Sequence, residues 1–177
     1  MPPDATTSRL VVITGPPAIG KTTAAYLLAR RLPGTVARIS GDVFVLAVSP
    51  FEASDDRRAF LLENLVSFIE HARAHAYDWI VIECVIPSDE FLDELIAGAG
   101  LAADSVHVFS ILASEDAYRR RVEGRLAAQG GVQPEAQLAA CCQWLHRIAA
   151  LRRPQPVDTS AQTPEETAAA LLRAVQP

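Results

Sequence analysis

Apolar residues run along this chain in two alternating rhythms, short continuous blocks and longer stretches at helical spacing. The blocks Leu10–Thr14, Thr35–Ser40, Trp79–Ile86 and Ser105–Leu112 predict β-strands. The third is broken by a single carboxylate, Glu83, as expected of a strand buried on both faces. Between the blocks, residues 22–32, 57–75, 88–97, 115–128 and 134–152 carry helical periodicity. The 57–75 stretch is the clearest, with Phe60, Leu61, Asn64, Leu65, Phe68, Ile69 and Ala72 along one stripe. Val157–Ser160 fits a terse fifth strand. It precedes a helix opened by Thr163-Pro164-Glu165-Glu166, with threonine as cap, proline in the first turn and glutamate closing a capping box. Pro33-Gly34, the polar loop 50–56, Gly130-Gly131 and Arg153-Pro154-Gln155-Pro156 punctuate these elements.

Strands alternating with helices predict right-handed crossovers and a three-layer α/β/α architecture around a five-stranded parallel sheet. No linker divides the sequence, and 177 residues suit one domain spanning 1–177. Ligands of such sheets bind beyond the carboxyl ends of the strands, so the residues just after each strand are the ones to read for chemistry.

After the first strand comes Gly15-Pro16-Pro17-Ala18-Ile19-Gly20-Lys21-Thr22-Thr23, a match to the phosphate-binding pattern G-x-x-x-x-G-K-[ST] (Walker A). A strand precedes it and a helix follows, the context the pattern needs. Lys21 is the sole lysine among sixteen Lys and Arg residues, and it stands where a compact ammonium must reach the β- and γ-phosphates of a nucleotide. Backbone amides and the helix N-terminus would wrap the phosphates, and the Thr22 hydroxyl can ligate magnesium.

Asp42 follows the second strand and is the best candidate for a general base toward an acceptor hydroxyl; a turn or helix cap is the plainer reading. Glu83 sits in an apolar strand, where an ionised carboxylate calls for magnesium, a metal-bound water or an arginine, or else belongs to a buried structural ion pair. Residues 114–133 have the character of a lid. Arg119, Arg120, Arg121 and Arg125 crowd it, and Arg121 and Arg125 share a face one helical turn apart, placed to neutralise a transferring phosphoryl group. Taken singly, any of these arginines also reads as part of a solvated basic face.

These features together resemble the small P-loop kinases of the nucleoside-monophosphate-kinase-like fold, and within them the chloramphenicol phosphotransferase-like and zeta-toxin-like branch. GPPAIGKTT, Gly41-Asp42, WIVIECVI, RRRVEGR and VDTS carry the likeness, the first of them specifically and the others loosely. The resemblance implies a P-loop NTPase fold with a helical lid, ATP and Mg2+ as cofactors, and a small-molecule hydroxyl as phosphoryl acceptor. It also implies that Asp42 is the base, and that Asp158 and Thr159 contact the adenine. Two features depart from that branch and point away from chloramphenicol as the acceptor. The third strand ends in Glu83-Cys84 where the branch tends to show aspartates, and the acceptor-covering segment from Val45 to Asp56 is short.

Composition narrows the remaining classes. A net charge of −5 gives no electrostatic footprint for nucleic acid. No apolar run is long enough to span a membrane, and the first residues lack a secretion signal, so a cytoplasmic monomer or homodimer is expected. Cys84, Cys141 and Cys142 show neither disulfide nor zinc spacing and are expected to be reduced and packed. His71 and His75 have a chelating separation without a third ligand, which fits favourable charge at a helix C-terminus better than a metal site. Two function classes therefore stand. One is an ATP-dependent kinase acting on an antibiotic, nucleoside or sugar, or on a nucleotide of intermediary metabolism; the other is a nucleotide-binding ATPase or switch without such an acceptor.

Overall fold

A computed structural model describes residues 8–46, 55–129 and 134–176. Five parallel strands, β1 (Arg9–Thr14), β2 (Val36–Ser40), β3 (Trp79–Glu83), β4 (Val106–Leu112) and β5 (Gln155–Asp158), form one sheet in the order β2-β3-β1-β4-β5. The helices are α1 (Lys21–Ala29), α2 (Asp42–Leu46), α3 (Asp55–Ala74), α4 (Asp89–Ala99), α5 (Glu115–Gln129), α6 (Pro134–Ala149) and α7 (Pro164–Val175).

Alternation along the central strands divides the core into two layers. Val11, Ile13, Trp79 and Val81 face α1, α5, α6 and α7, packing on Leu28, Val122, Leu145 and Leu171. Leu10, Val12, Ile80 and Ile82 face α3 and α4, packing on Leu65, Ile69, Phe91 and Leu95. The three-layer α/β/α arrangement and the all-parallel five-stranded sheet agree with the sequence pattern.

Three boundaries differ from the sequence reading. β3 pairs only as far as Glu83: the amide of Cys84 completes that last pair by donating to Ile13 O, but the amide of Ile86 donates to the Thr14 hydroxyl instead of a backbone carbonyl, so the apolar run leaves the ladder there. β5 lies at 155–158, two residues earlier than the expected 157–160. Its Pro156 is tolerable because β5 is an edge strand, where one face of the ladder needs no donor. The short helix α2 at Asp42 was not anticipated; it begins as soon as β2 ends. The loop 50–56, the acceptor-covering segment and the Gly130-Gly131 break fall largely or wholly outside the described residues.

Candidate active site

Gly15 follows β1 in a space that admits no side chain, since an added Cβ would lie 2.7 Å from Ile111 O and 2.9 Å from Ile19 Cγ2. The loop then turns through two left-handed residues, Ala18 (φ 63°) and Gly20 (φ 108°), before α1 begins at Lys21. Glycine accepts that conformation freely, but Ala18 holds it against its own Cβ. Gly15, Pro16 and Ile19 are buried, Pro17 and Ala18 partly so, while Gly20, Thr22 and Thr23 are exposed. The amides of Ala18, Gly20, Lys21, Thr22 and Thr23 reach no backbone carbonyl among the described residues. Such a run of donors at the start of a helix is an anion-binding concavity.

Lys21 is only 5% exposed, and its ammonium donates to Pro16 O at 3.1 Å. Burial lowers its pKa below the ordinary value, while the neighbouring charges of Asp42 and Glu83 oppose that shift. The sheet accounts for this meeting. Glu83 pairs in register with Ile13 on one side and Ser40 on the other, so the ends of β1, β2 and β3 converge. Gly41 donates to Glu83 O at 2.8 Å and lies so close to Cys84 that an added Cβ would stand 2.7 Å from the cysteine Cβ. This contact brings Asp42, partly buried at the start of α2, beside the pair.

Glu83 is fully buried, and neither carboxylate oxygen has a hydrogen-bond partner among the described residues. The hydroxyls of Ser40 and Thr22 adjoin it and favour its ionised form without reaching hydrogen-bond geometry; burial outweighs them and raises its pKa. An orphaned carboxylate beside a threonine hydroxyl and an anion cradle is a donor set that fits Mg2+, which takes oxygen ligands from one or two protein side chains and the rest from phosphates and water. Cys84 is buried, its thiol pushed up to about 12 mainly by that burial, and is therefore an unreactive packing residue.

Helix α5 treats its arginines differently. Arg121 is partly buried and donates to Thr159 Oγ1 at 2.9 Å, to Thr159 O and to Ile19 O at 3.3 Å, which ties α5 to the phosphate loop and to the turn after β5. Arg125 is exposed, and its charge lowers the pKa of Lys21. Arg119 pairs with Glu115 at 2.9 Å on the surface, and Arg120 is exposed. Thr159 is buried and spends its hydroxyl on Leu112 O as well as on Arg121, so its side chain serves as a tie. Asp158 accepts from the Ser160 amide and hydroxyl, which hold its carboxyl below the ordinary pKa and close the turn.

The structure thus brings Lys21, Thr22, Asp42, Glu83 and Arg125 into one electrostatic neighbourhood. Arg121 and Thr159 join it through hydrogen bonds, while Asp158 stands at its margin. Sequence reasoning missed Ser40, which only strand register reveals. It also missed Tyr118, whose signal was a lone large aromatic within an arginine-rich helix. The Nδ1 atoms of His71 and His75 face carbonyls of their own helix, those of Ser67 and His71. No group of three or more His, Cys, Asp or Glu among the described residues is arranged to hold a metal. A groove of about 780 Å³ lies elsewhere, between the start of β2 and the end of α3, at the end of the sheet opposite the phosphate loop.

Among solved structures the fold matches the Deinococcus radiodurans tunicamycin resistance protein (20% identity, TM-score 0.69, 96% of each chain covered). It also matches a sugar kinase from Janibacter sp. HTCC2649 (20% identity, TM-score 0.70, 96% of each chain). A third match is the Mycobacterium tuberculosis APS kinase CysC in complex with AMPPNP and APS (18% identity, TM-score 0.63, 97% of this chain and 99% of that one). No curated protein sequence matches. The chain therefore has the fold of small P-loop kinases, and, with residues 10–151 matching AAA_33, described as an AAA domain, it belongs to that family.

Proposed function

We propose that this protein is an ATP-dependent phosphotransferase that moves the γ-phosphoryl group to a hydroxyl of a small molecule, such as an antibiotic, a nucleoside or a sugar. The observation that carries the reading is Asp42 placed beside Lys21 and Glu83 at the carboxyl end of the sheet. A nucleotide switch needs a phosphate cradle and a metal ligand; a second, partly exposed carboxylate next to them is what an acceptor hydroxyl needs.

In this reading the loop 15–23 holds the nucleotide phosphates, Thr22 and Glu83 hold Mg2+, and Asp42 takes the acceptor's proton. Bound magnesium would supply charge neutralisation at the phosphates. Lys21 and Arg125 add positive charge where the transferring group stands, and Arg121 fixes the turn carrying Asp158 and Thr159, which borders the adenine. The neighbouring kinases of sugars and of APS support a small-molecule acceptor, and the net charge of −5 weighs against nucleic acid. A cytoplasmic setting and a monomeric or homodimeric state complete the proposal. Among the described residues no helix is long and apolar enough to cross a membrane.

The test is Asp42→Asn, assayed against a panel of hydroxylated acceptors beside calorimetric ATP affinity. Acceptor phosphorylation should fall by roughly 10²–10⁴ while ATP binding barely changes. Weaker Mg-ATP binding in step with lost turnover would instead favour the ATPase or switch. Transfer at the parent rate would remove Asp42 as base.

A further inference from the structure

Two side chains of α5, one helical turn apart, fasten to two carbonyls of the phosphate loop. The Tyr118 hydroxyl donates to Pro17 O at 2.7 Å, and Arg121 donates to Ile19 O at 3.3 Å. Tyr118 is otherwise a core residue, fully buried in the layer that holds Ile13, Phe109 and Val122. Packing alone would be served by phenylalanine, so the hydroxyl is the informative part.

The two carbonyls bracket Ala18, the one loop residue with a side chain that is held in the left-handed region. A trans peptide points its C=O and N–H in opposite directions. Anchoring Pro17 O on α5 therefore turns the Ala18 amide away from α5, and anchoring Ile19 O does the same for the Gly20 amide. Both amides belong to the set without a carbonyl partner. Left to itself, an alanine at φ 63° would relax toward negative φ and carry its peptide plane with it.

We propose that Tyr118 is a positioning residue for the phosphate loop: its hydrogen bond to Pro17 O holds the strained Ala18 peptide so that the loop amides face the nucleotide phosphates. α5 then carries both the exposed Arg125 and the restraint that shapes the cradle, so the lid helix and the phosphate loop are one mechanical unit. This rests on the phosphate-binding reading of the loop, and it adds a residue outside the G-x-x-x-x-G-K-[ST] pattern to the machinery.

The experiment is a double-mutant cycle on Mg-ADP affinity, by calorimetry, with Tyr118→Phe, Ala18→Gly and the pair, and with adenosine as a ligand that lacks phosphates. Loss of one buried hydrogen bond should weaken Mg-ADP binding of Tyr118→Phe by about fivefold. Adenosine binding should not change. Glycine accepts the left-handed conformation without a restraint, so in the Ala18→Gly background the same tyrosine change should cost less than about twofold. A merely structural hydroxyl would weaken both ligands alike, or cost the same in both backgrounds, and either result overturns the proposal. Unchanged Mg-ADP affinity in folded Tyr118→Phe also overturns it, while leaving the phosphate-loop assignment standing. A parent protein that binds no Mg-ADP would refute that assignment, and the positioning role with it.

Discussion

At Glu83 the cost of burying a carboxylate meets the Ser40 and Thr22 hydroxyls and, more weakly, the charge of Lys21, and burial prevails: its pKa lies above the ordinary value of 4.5. Folding therefore takes up a proton between pH 4.5 and the raised value, and ligand-free stability falls as pH rises through that window. Glu83→Gln mimics the protonated state at every pH. The variant should match the parent in urea midpoint below about pH 4.5 and exceed it once the parent's carboxyl ionises. Identical midpoint profiles across the range would mean that Glu83 does not titrate in the folded protein. Lys21, Thr22, Asp42 and Glu83 stand out in sequence from their places at or beyond strand ends, where such sheets put ligand-binding groups, and the fold brings them near one another. What the side chains touch was not readable. Arg121 and Arg125 look alike in sequence, yet Arg121 is tied down by Thr159 and Ile19 while Arg125 is exposed, a distinction set by tertiary contacts 38 and 102 residues away.

Among the elements, α7 shows local sequence and structure in full agreement. Thr163 Oγ1 accepts from the Glu166 amide at 3.2 Å, Glu166 Oε2 accepts from the Thr163 amide at 2.8 Å, and Pro164 opens the first turn. Thr163→Ala should cost about 1 kcal/mol, read as a lower denaturant midpoint at unchanged slope. The loss should be global because α7 packs on α1, the helix that begins at Lys21. A midpoint equal to the parent's would show that solvent replaces the cap. Capping residues are a strictly local signal, which is why this helix was legible. β5 was legible as a strand but not in its start at Gln155, because Pro156 reads as a strand breaker until the strand is known to lie at an edge, and edge position is a property of the sheet. α2 was hidden for a similar reason: it is only five residues long, too short to show a period, and follows directly on the contact between Gly41 and Cys84.

On the scale of the whole molecule, three strand ends, one loop and α5 are linked through the same few residues, so ligand occupancy and folding should be coupled. Mg2+ and ATP together should raise the melting temperature by more than the sum of their separate effects, and Glu83→Gln should abolish that excess while leaving some ATP effect. Additive shifts in the parent would separate the metal from the nucleotide site. The lone lysine has a consequence for how the protein can be observed. Lys21 is the one side-chain amine in the chain and is 5% exposed. A lysine-specific protease therefore has one target bond, closed to it in the native fold, and can divide the chain only into residues 1–21 and 22–177. Cleavage then clocks the opening of α1's first turn, and an amine-directed acylating reagent, apart from the chain's α-amino group, reports on that same atom. The cation that would greet the phosphates doubles as a built-in chemical reporter of whether the loop around it is open.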